Sequence, residues 1–275
     1  MKVLVTGAKG QLAFDVIRVL KERNIEYLGI DKDELDITIK DDVSKFIHDY
    51  QPSVIIHCAA YTAVDKAEED KELVYNINVL GTSYLAEAAK KVDAKFVYIS
   101  TDYVFDGKGE IPFTVHDKPN PVNYYGYSKY EGELEVQKHL SKYYIVRISW
   151  VFGINGNNFV KTMLKLSESK DKITVVSDQV GSPTYTFDLS YSLIDLVHTD
   201  NYGTHHITND EYCSWNEFSK EIFKQAKKDV EVSPILTKDY PTKAKRPLNS
   251  RMTKNDIRLR PWKEALNHFI KELNK

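Results

Sequence analysis

The chain has 275 residues, 42% of them hydrophobic and 28% charged, with a net charge of −2. That length allows one large domain, or a domain plus a smaller lobe, and the composition is that of an ordinary globular protein. The near-neutral balance gives no field for nucleic acid or an anionic membrane, and two cysteines, Cys58 and Cys213, supply neither a disulfide framework nor a zinc spacing.

Residues 2–6 are a short apolar run that enters the turn Gly7-Ala8-Lys9-Gly10, and they read as a buried strand. Nothing before them resembles a signal peptide, and no apolar run is long enough to span a bilayer. A cytoplasmic location is therefore expected. From residue 11 to residue 22, Leu12, Val16, Val19 and Leu20 recur at helical spacing. Residues 27–31 make a second strand, 43–50 a short helix stopped at Pro52, and 54–58 a third strand. Residues 69–91 read as one long helix, 96–100 as a strand, 125–140 as a helix and 144–150 as a strand. Beyond Phe152 the segments shorten, with turns at Asn155-Gly156-Asn157, Gly181-Ser182-Pro183 and Asn201-Tyr202-Gly203. Residues 188–198, 215–227 and 261–273 still read as amphipathic helices. Short apolar strands alternating with helices imply an α/β fold, with a parallel sheet covered on both faces.

Gly7 and Gly10 lie between the first strand and the first helix. There a dinucleotide pyrophosphate needs close backbone and a helix N-terminus. The spacing is Gly-x-x-Gly, with Ala13 as the third small position, and Gln11 and Leu12 open the helix beside it. Any strand-to-helix turn tolerates glycine, but this setting favours a Rossmann-type, doubly wound dinucleotide domain over residues 1–153. A smaller substrate-binding lobe would follow over 154–275, with 186–204 packing back on the first domain. Asp31 ends the second strand at the distance of an acid that binds the adenosine ribose. It would repel a 2′-phosphate and favour NADH over NADPH; a solvated turn aspartate is the alternative. Asp36 and Ile37 follow, placed to flank the adenine.

Thr101 begins at the C-terminal end of a strand, the edge where open parallel sheets bind ligands. Tyr125 and Lys129 stand four residues apart and share one helix face. An ammonium beside a phenol lowers its pKa from about 10 and tunes it for acid–base work. Singly these are an ST-turn, a core tyrosine and a surface lysine. Together with the glycine turn they resemble an extended short-chain dehydrogenase/reductase. Longer segments are similar to the dTDP-4-dehydrorhamnose reductase branch: Ala59-Ala60-Tyr61-Thr62-Ala63-Val64-Asp65-Lys66-Ala67-Glu68, Ser100-Thr101-Asp102-Tyr103-Val104-Phe105-Asp106-Gly107 and Arg147-Ile148-Ser149-Trp150-Val151-Phe152-Gly153. So are Asn158-Phe159-Val160-Lys161-Thr162-Met163-Leu164, Asp178-Gln179-Val180-Gly181-Ser182-Pro183-Thr184 and Arg246-Pro247-Leu248-Asn249-Ser250. The resemblance covers nearly the whole chain. His57 departs from it, standing where similar sequences often carry asparagine, and reads as a hydrogen-bonded strand-end histidine.

The resemblance implies reduction of the C4 ketone of a dTDP-linked 4-keto sugar to dTDP-L-rhamnose, with NADH preferred or NADPH. Tyr125 would donate the proton. Lys129 would lower the Tyr125 pKa and bond the nicotinamide ribose, and Thr101 would orient the carbonyl, with Asp102 beside it in the substrate site. Ala59, Ala60 and Tyr61 would line the cofactor, and Trp150 would wall the sugar pocket, core packing being its alternative. Residues 238–263 carry nine Lys/Arg against two Asp. Such a run is usually a solvated face, but the match at Arg246 suggests a contact with the substrate diphosphate. A homodimer is common among similar enzymes. Mg2+ accompanies some of them, although no acid cluster here marks a metal site. Two rivals stand. One is another nucleotide-sugar enzyme of the same superfamily, an epimerase or dehydratase; a dehydratase would want a glutamate after Asp102, where Tyr103 stands. The other is a non-catalytic NAD(P)-binding regulatory subunit, similar to the beta subunit of methionine adenosyltransferase.

Overall fold

Five apolar strands within the first 148 residues lie parallel, each joined to the next through helix that returns the chain to the same edge. In the computed structural model, which describes residues 1–254 and 257–275, they are β1 (Lys2–Thr6), β2 (Glu26–Ile30), β3 (Val54–His57), β4 (Lys95–Thr101) and β5 (Tyr143–Ile148). A further strand, Gly203–His206, pairs in parallel with β5, and the order across the sheet is Gly203–His206, β5, β4, β3, β1, β2. The chain leaves β1 toward β2 and then crosses to β3 on the other side. The topological switch, where such sheets bind ligands, therefore lies between β1 and β3. This is a Rossmann-type α/β fold.

The helices are α1 (Gln11–Glu22), α2 (Lys40–Tyr50), α3 (Lys71–Tyr75), α4 (Thr82–Lys91), α5 (Tyr124–His139), α6 (Phe159–Leu166), α7 (Thr186–Val197), α8 (Trp215–Gln225) and α9 (Trp262–Leu273). Strand side chains alternate between faces. Val3 and Val5 join Val16 and Leu20 of α1 and Leu189 and Leu193 of α7 in one core. Leu4 joins Ile47 of α2 and Leu85 of α4 in the other. A third core gathers Phe152, Tyr185, Phe218, Trp262 and Phe269 among α6, α8 and α9. Short ladders surround it, such as Lys172–Val176 with Glu231–Ile235.

Three local expectations change. The helix read over 69–91 is broken by a π-helical turn, Asn76–Gly81, between α3 and α4. Gly203, read as part of a turn, opens the sixth sheet strand. Gly181, also read in a turn, ends the strand Val180–Gly181. The charge run over 238–263 includes residues 255 and 256, which lie outside the described residues. Among the described residues no helix is long and apolar enough to cross a membrane.

Candidate active site

The ends of β1, β3, β4 and β5 open on a cleft of about 630 Å³. At its floor Gly7 has φ +68, and a Cβ there would meet the Ala59 backbone at 2.8 Å. Only glycine lets the β1 turn pass so close to the loop after β3. Gly10 precedes α1 without any side-chain cap, which leaves first-turn N–H groups free for an anion. Gly7, Gly10, Gln11, Leu12, Asp31, Asp36, Ile37, Ala59 and Ala60 all line this cleft. The Asp31 carboxylate accepts the Lys9 N–H at 3.0 Å and the Lys32 N–H at 2.8 Å, so it is oriented at the β2 end.

The catalytic candidates line the same cleft. Thr101, at the end of β4, donates its hydroxyl to Asp102 at 3.0 Å and accepts the Tyr103 N–H at 3.2 Å. Asn123 caps α5 by accepting the Gly126 N–H at 2.8 Å. A Cβ on Gly126 would lie 2.1 Å from the Tyr103 carbonyl oxygen, so this glycine seats the first turn of α5 on the turn after Thr101. Tyr125, Lys129, Asp102 and Trp150 are thereby gathered with Thr101. Asp102 is buried, its Oδ2 has no hydrogen-bond partner among the described residues, and burial pushes its carboxyl up to about 6.

The electrostatics of the Tyr125 phenol differ from the expectation. Burial first, and then the Asp102 carboxylate, raise its pKa above the ordinary range; only the Thr101 hydroxyl acts the other way. The Lys129 ammonium sits 4.0 Å over the Tyr98 ring, and burial lowers it to about 7, opposed by Glu133 one turn further along α5. Glu133 is itself buried and clamped by Arg147, at 2.9 and 2.7 Å, and by the Ser100 hydroxyl at 2.5 Å.

Two expected contacts fall outside the cleft lining. Tyr61 turns its hydroxyl to Asp70 at 2.6 Å. Arg246 gives both arms of its guanidinium to Asp65, at 3.0 and 2.6 Å. Its neighbours in the basic run are spent similarly, Lys254 on Asp210 and Arg260 on Asp188. His57 hydrogen-bonds Thr6 at 2.7 Å and Thr82 at 3.1 Å, and burial, then Lys129, lower it to about 3. It is a neutral tie between β1 and α4.

Sequence reasoning missed Asn78 and Trp215. Asn78, in the π-helical turn, accepts the Tyr61 N–H at 2.8 Å and donates to the Tyr61 carbonyl at 3.2 Å and to Ser128 at 2.9 Å. It thus joins the loop after β3 to α5. A lone buried asparagine within an apolar helical stretch was the available signal. Trp215, at the start of α8, lines the cleft beside Trp150.

A family model described as the RmlD substrate binding domain matches residues 1–275. A dTDP-4-dehydrorhamnose reductase of Aggregatibacter actinomycetemcomitans is 42% identical over 98% of this chain and 98% of its own length. The chain belongs to the dTDP-4-dehydrorhamnose reductase family. A crystal structure of a dTDP-4-dehydrorhamnose reductase from Clostridium acetobutylicum is 46% identical, covers 100% of both chains and matches with a TM-score of 0.97. Another such reductase, from Bacillus anthracis in complex with NADP, is 43% identical over 99% of this chain and 100% of its own, with a TM-score of 0.96. Within the dTDP-4-dehydrorhamnose reductase family the cleft described above is the candidate active site.

Proposed function

We propose that the chain reduces the C4 ketone of dTDP-4-dehydro-L-rhamnose to dTDP-L-rhamnose with NAD(P)H. The observation that carries this is the convergence of Thr101, Tyr125 and Lys129 on the cleft that the Gly7–Gly10 turn opens. The uncapped start of α1, the Gly7–Ala59 approach and the oriented Asp31 suit a dinucleotide. Bound NAD(P)H supplies the hydride. The chain supplies the rest. Tyr125, held protonated by burial and Asp102, donates its proton to the C4 oxygen as charge develops there. The Thr101 hydroxyl orients the carbonyl, and Asp102 receives a sugar hydroxyl. Lys129 offers an ammonium, without a hydrogen-bond partner among the described residues, to the nicotinamide ribose. Trp150 walls the sugar.

We further propose NADH as the preferred donor, on the strength of Asp31, and a homodimer in the cytoplasm on the strength of the family alone. Among the described residues no group of three His, Cys, Asp or Glu offers a donor set for Mg2+, and no step here uses one. The test is oxidation of NADH on adding dTDP-4-dehydro-L-rhamnose. One NADH consumed per sugar reduced supports a reductase. Catalytic turnover without net NADH loss would favour an epimerase, and inactivity on every nucleotide sugar would favour a binding subunit.

A further inference from the structure

Trp150 follows β5 with φ 50, a left-handed conformation that a bulky side chain rarely adopts. Its carbonyl accepts the Thr184 N–H at 3.1 Å, and the preceding Ser149 hydroxyl donates to the Ser182 carbonyl at 2.6 Å, so the strained backbone is pinned on both sides. A Cβ on Gly181 would come within 2.9 Å of the Trp150 ring, so that position leaves room for the indole. Opposite stands Trp215, fixed at the first position of α8 by the reciprocal Ser214–Glu217 capping box. The two indoles stack at 3.7 Å between centroids with 13° between planes, and Phe159 backs Trp215 at 4.5 Å.

Core packing would bury these rings completely, as it does Trp262, which is 2% exposed. Trp150 and Trp215 instead remain partly exposed and line the cleft with Thr101 and Tyr125. Backbone strain retained beside reacting groups is a mark of function. We propose that Trp215 is a positioning residue of the sugar subsite: held between Trp150 and Phe159, it fixes the Trp150 indole against which the apolar face of the deoxyhexose packs. This rests on the reductase reading above. The rings belong to segments far apart in sequence, so their stack ties α8 to the end of β5.

The test separates sugar binding from cofactor binding. Trp215→Ala should raise KM for the nucleotide sugar roughly tenfold or more while the dissociation constant for NADH stays within about twofold. Trp215→Phe, which keeps an aromatic face, should recover most of that loss. The stacked indoles should give wild-type protein a near-ultraviolet circular dichroism signal that dTDP-L-rhamnose perturbs and dTDP alone does not. An unchanged sugar KM in Trp215→Ala would overturn the proposal. Should that variant fail to fold, Trp215→Phe and the wild-type spectrum decide, and a spectrum that dTDP-L-rhamnose leaves unaltered would also overturn it. A wild-type protein that turns over the sugar while Trp215 proves silent defeats this proposal alone; no wild-type turnover defeats the reductase reading with it.

Discussion

Asp102 acts on Tyr125: after burial, its carboxylate is the strongest influence holding the phenol protonated. Removing that negative charge should favour the phenolate. In Asp102→Asn the alkaline limb of the kcat profile should therefore move to lower pH, since Tyr125 would lose its proton sooner. In the wild type Asp102 is itself ionised mainly above about 6. A pH–rate profile of the two proteins checks this, and superimposable alkaline limbs would mean that Asp102 does not govern the acid.

Lys129 is strained in the opposite sense. Its pKa is about 7 in the fold against an ordinary value of 10.5, so between those values the unfolded chain binds more protons. Stability from this group therefore rises with pH across that window, and below it the cost of burying the ammonium is fully present. Lys129→Met should melt at a higher temperature than the wild type near pH 6.5, without cofactor. The same variant should lose activity by about 10²-fold or more and bind NADH more weakly. Thermal melts and a cofactor titration on one preparation measure both; a lower melting temperature would contradict the burial cost.

Asp31 predicts the cofactor. With both carboxylate oxygens already oriented by the Lys9 and Lys32 amides, a 2′-phosphate would meet a fixed negative charge. The wild type should have a higher kcat/KM with NADH than with NADPH, and Asp31→Ser should narrow or reverse the ratio. Equal wild-type values would show that Asp31 does not reach the ribose.

The Asp65 pair makes Arg246 a tie between the loop after β3 and the segment that follows the Thr237–Asp239 turn. Because Asp65 is substantially exposed, Arg246→Ala should cost no more than about 1 kcal/mol of stability. The KM for the nucleotide sugar should change less than about threefold. A tenfold rise would return Arg246 to the diphosphate.

How much was legible follows from which interactions are local. β1 to β5 could be read because a strand buried on both faces must be a continuous apolar run, as Val54–His57 nearly is. Gly203–His206 could not, because an edge strand of glycine, threonine and two histidines carries no such signal. The strand-end residues Gly7, Asp31 and Thr101 were readable from their place after apolar runs. Trp215 was not, since its partner Trp150 comes from another part of the chain. The helical spacing of Tyr125 and Lys129 was readable, yet spacing alone carried nothing about the burial of the phenol. Burial and Asp102, both supplied by tertiary packing, raise the phenol.

The most direct test of the central claim is NADH oxidation with dTDP-4-dehydro-L-rhamnose by the wild type and by Tyr125→Phe. The wild type should consume one NADH for each dTDP-L-rhamnose formed. Tyr125→Phe should bind NADH normally and turn over about 10²- to 10⁴-fold more slowly. A Tyr125→Phe protein as fast as the wild type would contradict the assignment of the proton to Tyr125.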